Sequence, residues 1–204
     1  MGSTPSRLSE AHRTLVLDAS VVINLLGSAQ PELLLRALGR SILVVDIARN
    51  EVTRDPSNNG PAAPMLDALE SAGLIRCISL STSAYESFLD LVGGPAPDDM
   101  GDGEAATIAH AEEIKGTILV DDRKAQRVAL ARPAPRPVLN TLDLLSSSAI
   151  SEGLSAVERA DLVFACLRNA RTRVPAAFRP WTIALIGPER AAQCPTLGDG
   201  RPAP

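Results

Sequence analysis

The sequence predicts a three-layer α/β/α sandwich around a mainly parallel sheet of four or five strands. Short apolar segments, which suit buried strands, alternate along the chain with longer helical segments. Strand–helix alternation favours a parallel sheet, because parallel neighbours are joined by crossover helices that cover both faces. Hydrophobic residues make up 45% of the chain, which suffices for a core, and aromatic residues only 2%, so that core must consist of Ala, Leu, Val and Ile.

In the first part of the chain, an apolar run that ends on Asp18 predicts the first strand. Pro31 and Gly39 mark the start and end of a helix. Asp46 is placed to cap a helix that runs through Glu51 to about residue 54. The predicted strands are 14–18, 41–45 and 74–80, and the predicted helices are 20–26, 31–39, 46–54, 64–72 and a helix from Ser81 or Ser83 to 92.

In the remainder of the chain, a glycine- and proline-rich segment at 93–103 predicts a long loop. Residues 117–122 and 137–139 are predicted strands, and 104–115, 123–131, 141–152 and 155–171 are predicted helices. We expect a flexible N-terminal arm at 1–13, a domain at 14–145, C-terminal helices packed on it at 146–187, and a disordered tail at 188–204. The tail prediction rests on its high content of Pro, Gly and Ala.

Composition narrows the class of protein. The net charge is −4 and the pI about 5.2, which argues against a surface that binds nucleic acid everywhere. The cysteines are odd in number and far apart in sequence, which predicts reduced thiols and a cytoplasmic protein; they are Cys77, Cys166 and Cys194. The first residues are polar, so no secretory signal is predicted. The sequence contains no run of eighteen apolar residues, so no membrane helix is predicted either.

Acidic residues from four separate segments are placed where they can meet. Asp18 ends the first predicted strand and the pair Asp121 and Asp122 ends the fourth, at the edge where parallel sheets collect functional groups. Glu51 and Glu104 lie in helices that follow a strand and a loop. Converging carboxylates repel one another unless cations compensate them. Without His or Cys partners they favour Mg²⁺ or Mn²⁺, which suits attack of water on a phosphodiester.

Each acid also has an ordinary structural interpretation. Asp18 can cap the helix that follows it, Glu104 can interact with a helix dipole, and Glu51 can be a solvated helix residue. The adjacent pair Asp121 and Asp122 is harder to explain in this way, because two neighbouring acids at a strand end are costly unless something binds them. The joint pattern therefore favours a metal site.

The ordered set of acid motifs resembles the PIN-domain family, which includes the toxin nucleases of bacterial toxin–antitoxin pairs. The resemblance covers about residues 14–145, and helices similar to one branch of the family continue to about 187. The matching segments are LVLDASVVINLL at 15–26, DIARNEV at 46–52, GDGEAATIAHA at 101–111 and TILVDDRKAQRVA at 117–129. The resemblance implies a PIN-like fold and a metal-dependent endoribonuclease.

The resemblance also assigns roles to residues. It implies catalytic Asp18, Glu51, Glu104 and Asp122, metal ligands Asp18, Glu104, Asp121 and Asp122, and a supporting Ser20. Two assignments stay open. The third acid is either Glu104 or Asp102. The last acid is either Asp121 or Asp122, because Val120 stands where the family often has Thr. We prefer Asp122, since a basic residue and a helix follow it.

Partners follow from the same reasoning. Arg123, Lys124 and Arg127 follow the last acids and are expected to meet RNA phosphates. The resemblance further implies a homodimer and, in the toxin branch, an antitoxin protein. Two rivals remain: a PIN-like fold that only binds RNA or protein, and an aspartate-based phosphotransfer domain. A dehalogenase-type phosphotransferase would need Asp-x-Asp after the first strand, but Ala19 and Ser20 follow Asp18.

Overall fold

A computed structural model describes residues 5–93 and 100–197. Five parallel strands form one sheet in the order β3-β2-β1-β4-β5. The strands are β1 Thr14–Leu17, β2 Ser41–Val45, β3 Arg76–Ile78, β4 Thr117–Leu119 and β5 Val138–Leu139. The predicted fold class, an α/β/α sandwich with a mainly parallel sheet, is confirmed.

The helices cover both faces of this sheet. They are α1 Ala19–Gly27, α2 Pro31–Leu38, α3 Asp46–Glu51, α4 Ala63–Ser71, α5 Thr82–Val92, α6 Asp102–Glu113, α7 Arg123–Ala131, α8 Thr141–Leu145, α9 Ser148–Gly153, α10 Ala156–Asn169, α11 Arg179–Ile186 and α12 Pro188–Ala191, with single 3-10 turns at Ala176–Phe178 and Pro195–Leu197. None of the helices in residues 5–93 and 100–197 combines the length and hydropathy that crossing a bilayer requires.

Alternating residues of β1 separate the two layers of the core. Leu15 and Leu17 pack with α1, α2 and α10, whereas Val16 packs with α5, α6 and α7 on the opposite face. All three side chains are fully buried, which explains why a central strand of this sheet appears in the sequence as a continuous apolar run.

The central position of β1 sets the location of the site. β1 pairs with β2 on one side and with β4 on the other, both in parallel. The ladder between β1 and β4 extends to the end of both strands, since the backbone N–H of Asp18 donates to the carbonyl of Leu119. The residues that follow β1 and β4 therefore lie side by side at the carboxyl edge of the sheet.

Both chain ends depart from the predictions for them. Residues 5–13 were expected to form a flexible arm, but Leu8 is buried and Ser6 donates to the carbonyl of Asp143 at 2.5 Å. Residues 188–197 were expected to be disordered, but they contain α12, and Cys194 lies in the core with a 2% exposed fraction. Both predictions rested on composition, which does not show that single apolar side chains such as Leu8 and Cys194 pack into the core. Residues 1–4 and 198–204 lie outside the described part.

Element boundaries show smaller differences. The helix predicted at 141–152 is two helices, because Ser147 caps α9 by accepting from the N–H of Ile150. The strand predicted at 117–122 ends at Leu119. The loop predicted at 93–103 ends earlier, since α6 begins at Asp102, and residues 94–99 lie outside the described part.

Candidate functional site

Asp18 has a structural role and a free oxygen at the same time. It is the N-cap of α1, where its Oδ2 accepts hydrogen bonds from the N–H of Ser20 at 3.0 Å and from the hydroxyl of Ser20 at 2.6 Å. Its exposed fraction is 2%, and its Oδ1 is buried without a hydrogen-bond partner among the described residues. The helix-cap interpretation of Asp18 is thus confirmed for Oδ2, whereas its role as a metal ligand stays a prediction.

Glu51 reaches the site from the end of α3. Its Oε1 accepts a hydrogen bond from the backbone N–H of Gly103 at 2.8 Å, at the start of α6. A Cβ on residue 103 would lie 2.6 Å from this oxygen, closer than side chains tolerate. A side chain at position 103 would therefore displace the Glu51 carboxylate from this hydrogen bond.

Glu104 and Asp122 come from the starts of two other helices. Glu104 lies in the first turn of α6, and its Oε2 accepts from the N–H of Gly101 at 3.3 Å. Asp122 is the N-cap of α7, where its Oδ1 accepts from the N–H groups of Lys124 at 2.7 Å and Ala125 at 3.0 Å. Each carboxylate again has one oxygen bound to backbone, and the other has no hydrogen bond within the described part.

These four carboxylates line one open pocket of about 480 Å³, which we call the acid pocket. Its lining residues are Asp18, Ala19, Ser20, Ile23, Glu51, Gly101, Glu104, Asp122 and Lys124. Lys124 is the one basic residue in this lining, and none of the four acids forms an ion pair in residues 5–93 and 100–197. The pocket therefore has an excess of negative charge.

The electrostatics of the pocket reflect this excess. Burial raises the pKa of the Asp18 carboxyl, the hydrogen bonds from Ser20 partly offset that effect, and the charge of Asp122 raises it further. Burial also raises the pKa of Glu51, against the lowering effect of the Gly103 N–H. Burial together with the charges of Asp18 and Asp122 raises the pKa of Glu104 to about 7. Such shifts mark carboxylates that gain from a cation.

Asp121 does not join the acid pocket. Its Oδ1 accepts from the N–H of Thr141 at 2.9 Å, and its Oδ2 accepts from the Thr141 hydroxyl at 2.5 Å and from Asn24 Nδ2 at 2.6 Å. Both oxygens are thus occupied by α8 and α1. The prediction of Asp121 as a metal ligand is not supported by this placement, because consecutive residues after a strand point to opposite sides.

The donor set of the acid pocket fits a hard divalent cation in its chemistry. It offers only oxygen ligands, one of which is the buried, unpartnered Oδ1 of Asp18. As they stand, no three His, Cys, Asp or Glu side chains in the described residues are close enough together to hold one ion. The predicted metal ligands Asp18, Glu104 and Asp122 therefore do not form a ready three-carboxylate site in the described residues. One oxygen of each of these carboxylates accepts from a separate backbone N–H, so binding of one ion by all three would need their side chains to rotate.

The predicted substrate-binding residues divide between different places. Lys124 lines the acid pocket, whereas Arg123 lines a smaller neighbouring pocket and Arg127 lines neither. Arg49, a basic residue of α3, forms an ion pair with Asp67. Arg173 was missed; it joins Arg123 from the far end of the chain, and no local sequence signal indicates it.

The fold and this site define a class of protein. A parallel five-stranded sheet with acids gathered at the carboxyl edge of its central strands is the arrangement expected for a PIN domain. The DUF3368 family, described as a PIN domain, matches residues 14–180. The chain therefore belongs to the PIN-domain family, whose fold is nuclease-like. No curated protein and no solved structure matches the chain.

Proposed function

We propose that this protein is a metal-dependent endoribonuclease that uses Mg²⁺ or Mn²⁺. One observation carries the proposal. Carboxylates from four separate segments line a single open pocket, with no ion pair among the described residues and with a buried Asp18 oxygen that has no hydrogen bond. A fold that needed these acids only as helix caps would have no reason to gather them, because their mutual repulsion lowers its stability.

The residues would divide the work as follows. Asp18, Glu104 and Asp122 would hold the ion through the oxygens that make no backbone contact. When bound, the ion would supply Lewis-acid stabilisation of charge on the phosphodiester. Glu51 and Glu104 would orient the attacking water by accepting its hydrogen bonds. Ser20 would keep Asp18 in position through the two hydrogen bonds that it donates.

Substrate and biological role are finer parts of this proposal. RNA is proposed because the chain belongs to the PIN family and because Lys124 supplies a cation for a phosphate inside the acid pocket. A toxin role with an antitoxin partner, and a homodimer that joins two basic rims, rest on the family resemblance and stay predictions.

Cleavage of RNA in the presence of Mg²⁺ or Mn²⁺, with and without EDTA, tests the proposal. Asp18→Asn should lower cleavage by more than roughly a hundredfold, because losing even a residue that only supports a metal ligand costs about 10- to 100-fold. The matched control is Asp102→Asn, since Asp102 begins the same helix as Glu104 but does not line the pocket. Glu104→Gln should lower cleavage while Asp102→Asn leaves it unchanged, which also decides between the two rival third acids.

Two results would contradict the proposal. Cleavage that persists in EDTA would exclude the metal-dependent mechanism, and an active Asp18→Asn protein would remove the acid pocket from the reaction. RNA binding without any cleavage would favour the rival function, a PIN-like fold that only binds.

A further inference from the structure

A second, smaller pocket of about 110 Å³ lies next to the acid pocket. We call it the arginine pocket; Asp121, Arg123, Gln126, Asn140, Arg173 and Pro175 line it. This volume is well above the roughly 10–15 Å³ that one water molecule needs, so the pocket has room for a small polar group and solvent. Arg173 brings the segment after α10 to this place, so the pocket depends on the C-terminal part of the chain as well as on the sheet edge.

The two pockets share one wall, which is formed by residues 121–124. Successive side chains of this segment alternate between them: Asp121 and Arg123 line the arginine pocket, whereas Asp122 and Lys124 line the acid pocket. Consecutive Cα atoms are about 3.8 Å apart, so the two pockets lie within one or two residues' length of each other. The two pockets are therefore close enough for one chain molecule to contact both.

The groups available in the arginine pocket are mainly donors. Arg123 and Arg173 are both exposed, and neither has an ion-pair partner or side-chain hydrogen bond in residues 5–93 and 100–197. Asn140 uses its Oδ1 to accept from the N–H of Asp143, and its Nδ2 donates to nothing within the same residues. The carboxylate of Asp121 is already occupied by Thr141 and Asn24. Two guanidinium groups and an amide donor are therefore available to a ligand rich in hydrogen-bond acceptors.

We infer that the arginine pocket binds a backbone phosphate of the single-stranded RNA whose neighbouring phosphodiester lies in the acid pocket. This inference rests on the proposed ribonuclease function. Guanidinium groups suit this ligand, because their fixed fork of N–H donors matches two phosphate oxygens. The second phosphate contact sets the position of the strand, so that one particular bond faces the carboxylates.

Binding of a short, fluorescently labelled, single-stranded RNA, measured against salt concentration, tests the inference. Binding is measured in EDTA, so that it does not depend on cleavage. Arg173→Gln and Arg123→Gln should each weaken binding about three- to tenfold, and each should reduce the slope of log affinity against log salt by about 0.7. Arg173→Lys should keep the slope but bind more weakly than the wild type, because lysine retains the charge and loses the fork.

The charge-matched control is Arg168→Gln. Arg168 is exposed on α10, forms no ion pair in the described residues and lines neither pocket, so its loss should leave the slope unchanged. If the wild type cleaves RNA but Arg173→Gln, Arg123→Gln and Arg168→Gln all bind alike, the inference is wrong and the proposed function stands. If Arg173→Gln weakens binding although the wild type never cleaves, the phosphate site stands and the nuclease proposal falls. A wild type that neither binds nor cleaves RNA overturns both.

Discussion

Two buried aspartates at the same end of the sheet differ in how the fold satisfies them. The Oδ1 of Asp143 accepts from the N–H and Nε of Arg7, and its Oδ2 accepts from Arg7 Nη2 at 2.6 Å and from the N–H of Asn140 at 3.0 Å. Both oxygens of Asp143 thus have donors. Asp18 has donors on Oδ2 only, both from Ser20, and its buried Oδ1 has none in the described residues.

This difference separates structural carboxylates from those available to a ligand. Asp143 holds the N-terminal segment against α8, and Asp121 belongs to the same group, since Thr141 and Asn24 satisfy both of its oxygens. In the acid pocket, each carboxylate has one oxygen bound to the protein and one without such a bond. A buried oxygen without a donor is costly, and at Asp18 a bound cation, as in the proposed function, would offset that cost.

The largest expected effect is on the free energy of unfolding, which two conservative substitutions should change in opposite directions. Asp143→Asn should lower the free energy of unfolding by about 2 kcal/mol, because an amide cannot accept the donors on both sides and loses the charge opposite Arg7. Asp18→Asn should raise it by about 1 kcal/mol without metal, because it removes a charge from a repelling cluster. Urea denaturation in EDTA measures both values. Equal destabilisation by the two substitutions would remove the distinction between these aspartates.

A smaller effect is expected at Gly103, which sharpens the comparison within the acid pocket. A side chain there displaces the Glu51 carboxylate, with which a Cβ would collide at 2.6 Å. Gly103→Ala should therefore lower RNA cleavage about tenfold, a loss typical of residues that orient a metal site. The control is Gly101→Ala, whose Cβ would lie an ordinary 3.8 Å from Glu104. Similar activity of the two variants would show that Glu51 needs no fixed position.

The smallest expected effect is on how the stability of the folded protein depends on pH. Burial and the charges of Asp18 and Asp122 raise the pKa of Glu104 from 4.5 to about 7, so the folded protein holds this proton more tightly than the unfolded chain does. The resulting stability is present below about pH 4.5 and is lost as the pH rises through about 7. Because Glu104 is half exposed, the loss should be only about 1 kcal/mol.

Thermal melting in EDTA between pH 4.5 and 8 measures this loss. Glu104→Gln should make the profile shallower, and more so than Asp102→Asn, which acts only through Glu51. A wild-type profile that rises over this range would contradict the assignment of the shift to Glu104.

The accuracy of the sequence predictions varied with the range of the interactions involved. Asp18 and Asp122 were placed at the same sheet edge from local patterns alone, since each follows an apolar strand. Asp121 could not be placed in this way, because its partners Asn24 and Thr141 come from α1 and α8. The order at both chain ends was missed for the same reason: Arg7 and Cys194 are held by residues distant in sequence.

The sequence by itself determined the alternation of strands and helices, the parallel sheet and the edge at which the acids gather. These features follow from periodicity and from the chain direction of each strand, which are local properties. Only the tertiary structure decided which oxygen of each carboxylate is satisfied, that Gly103 admits Glu51, and that Arg173 joins Arg123 beside the acid pocket. Those features depend on differences of a few tenths of an ångström in the distance between segments far apart in the chain. Packing sets such distances, and the local sequence pattern does not.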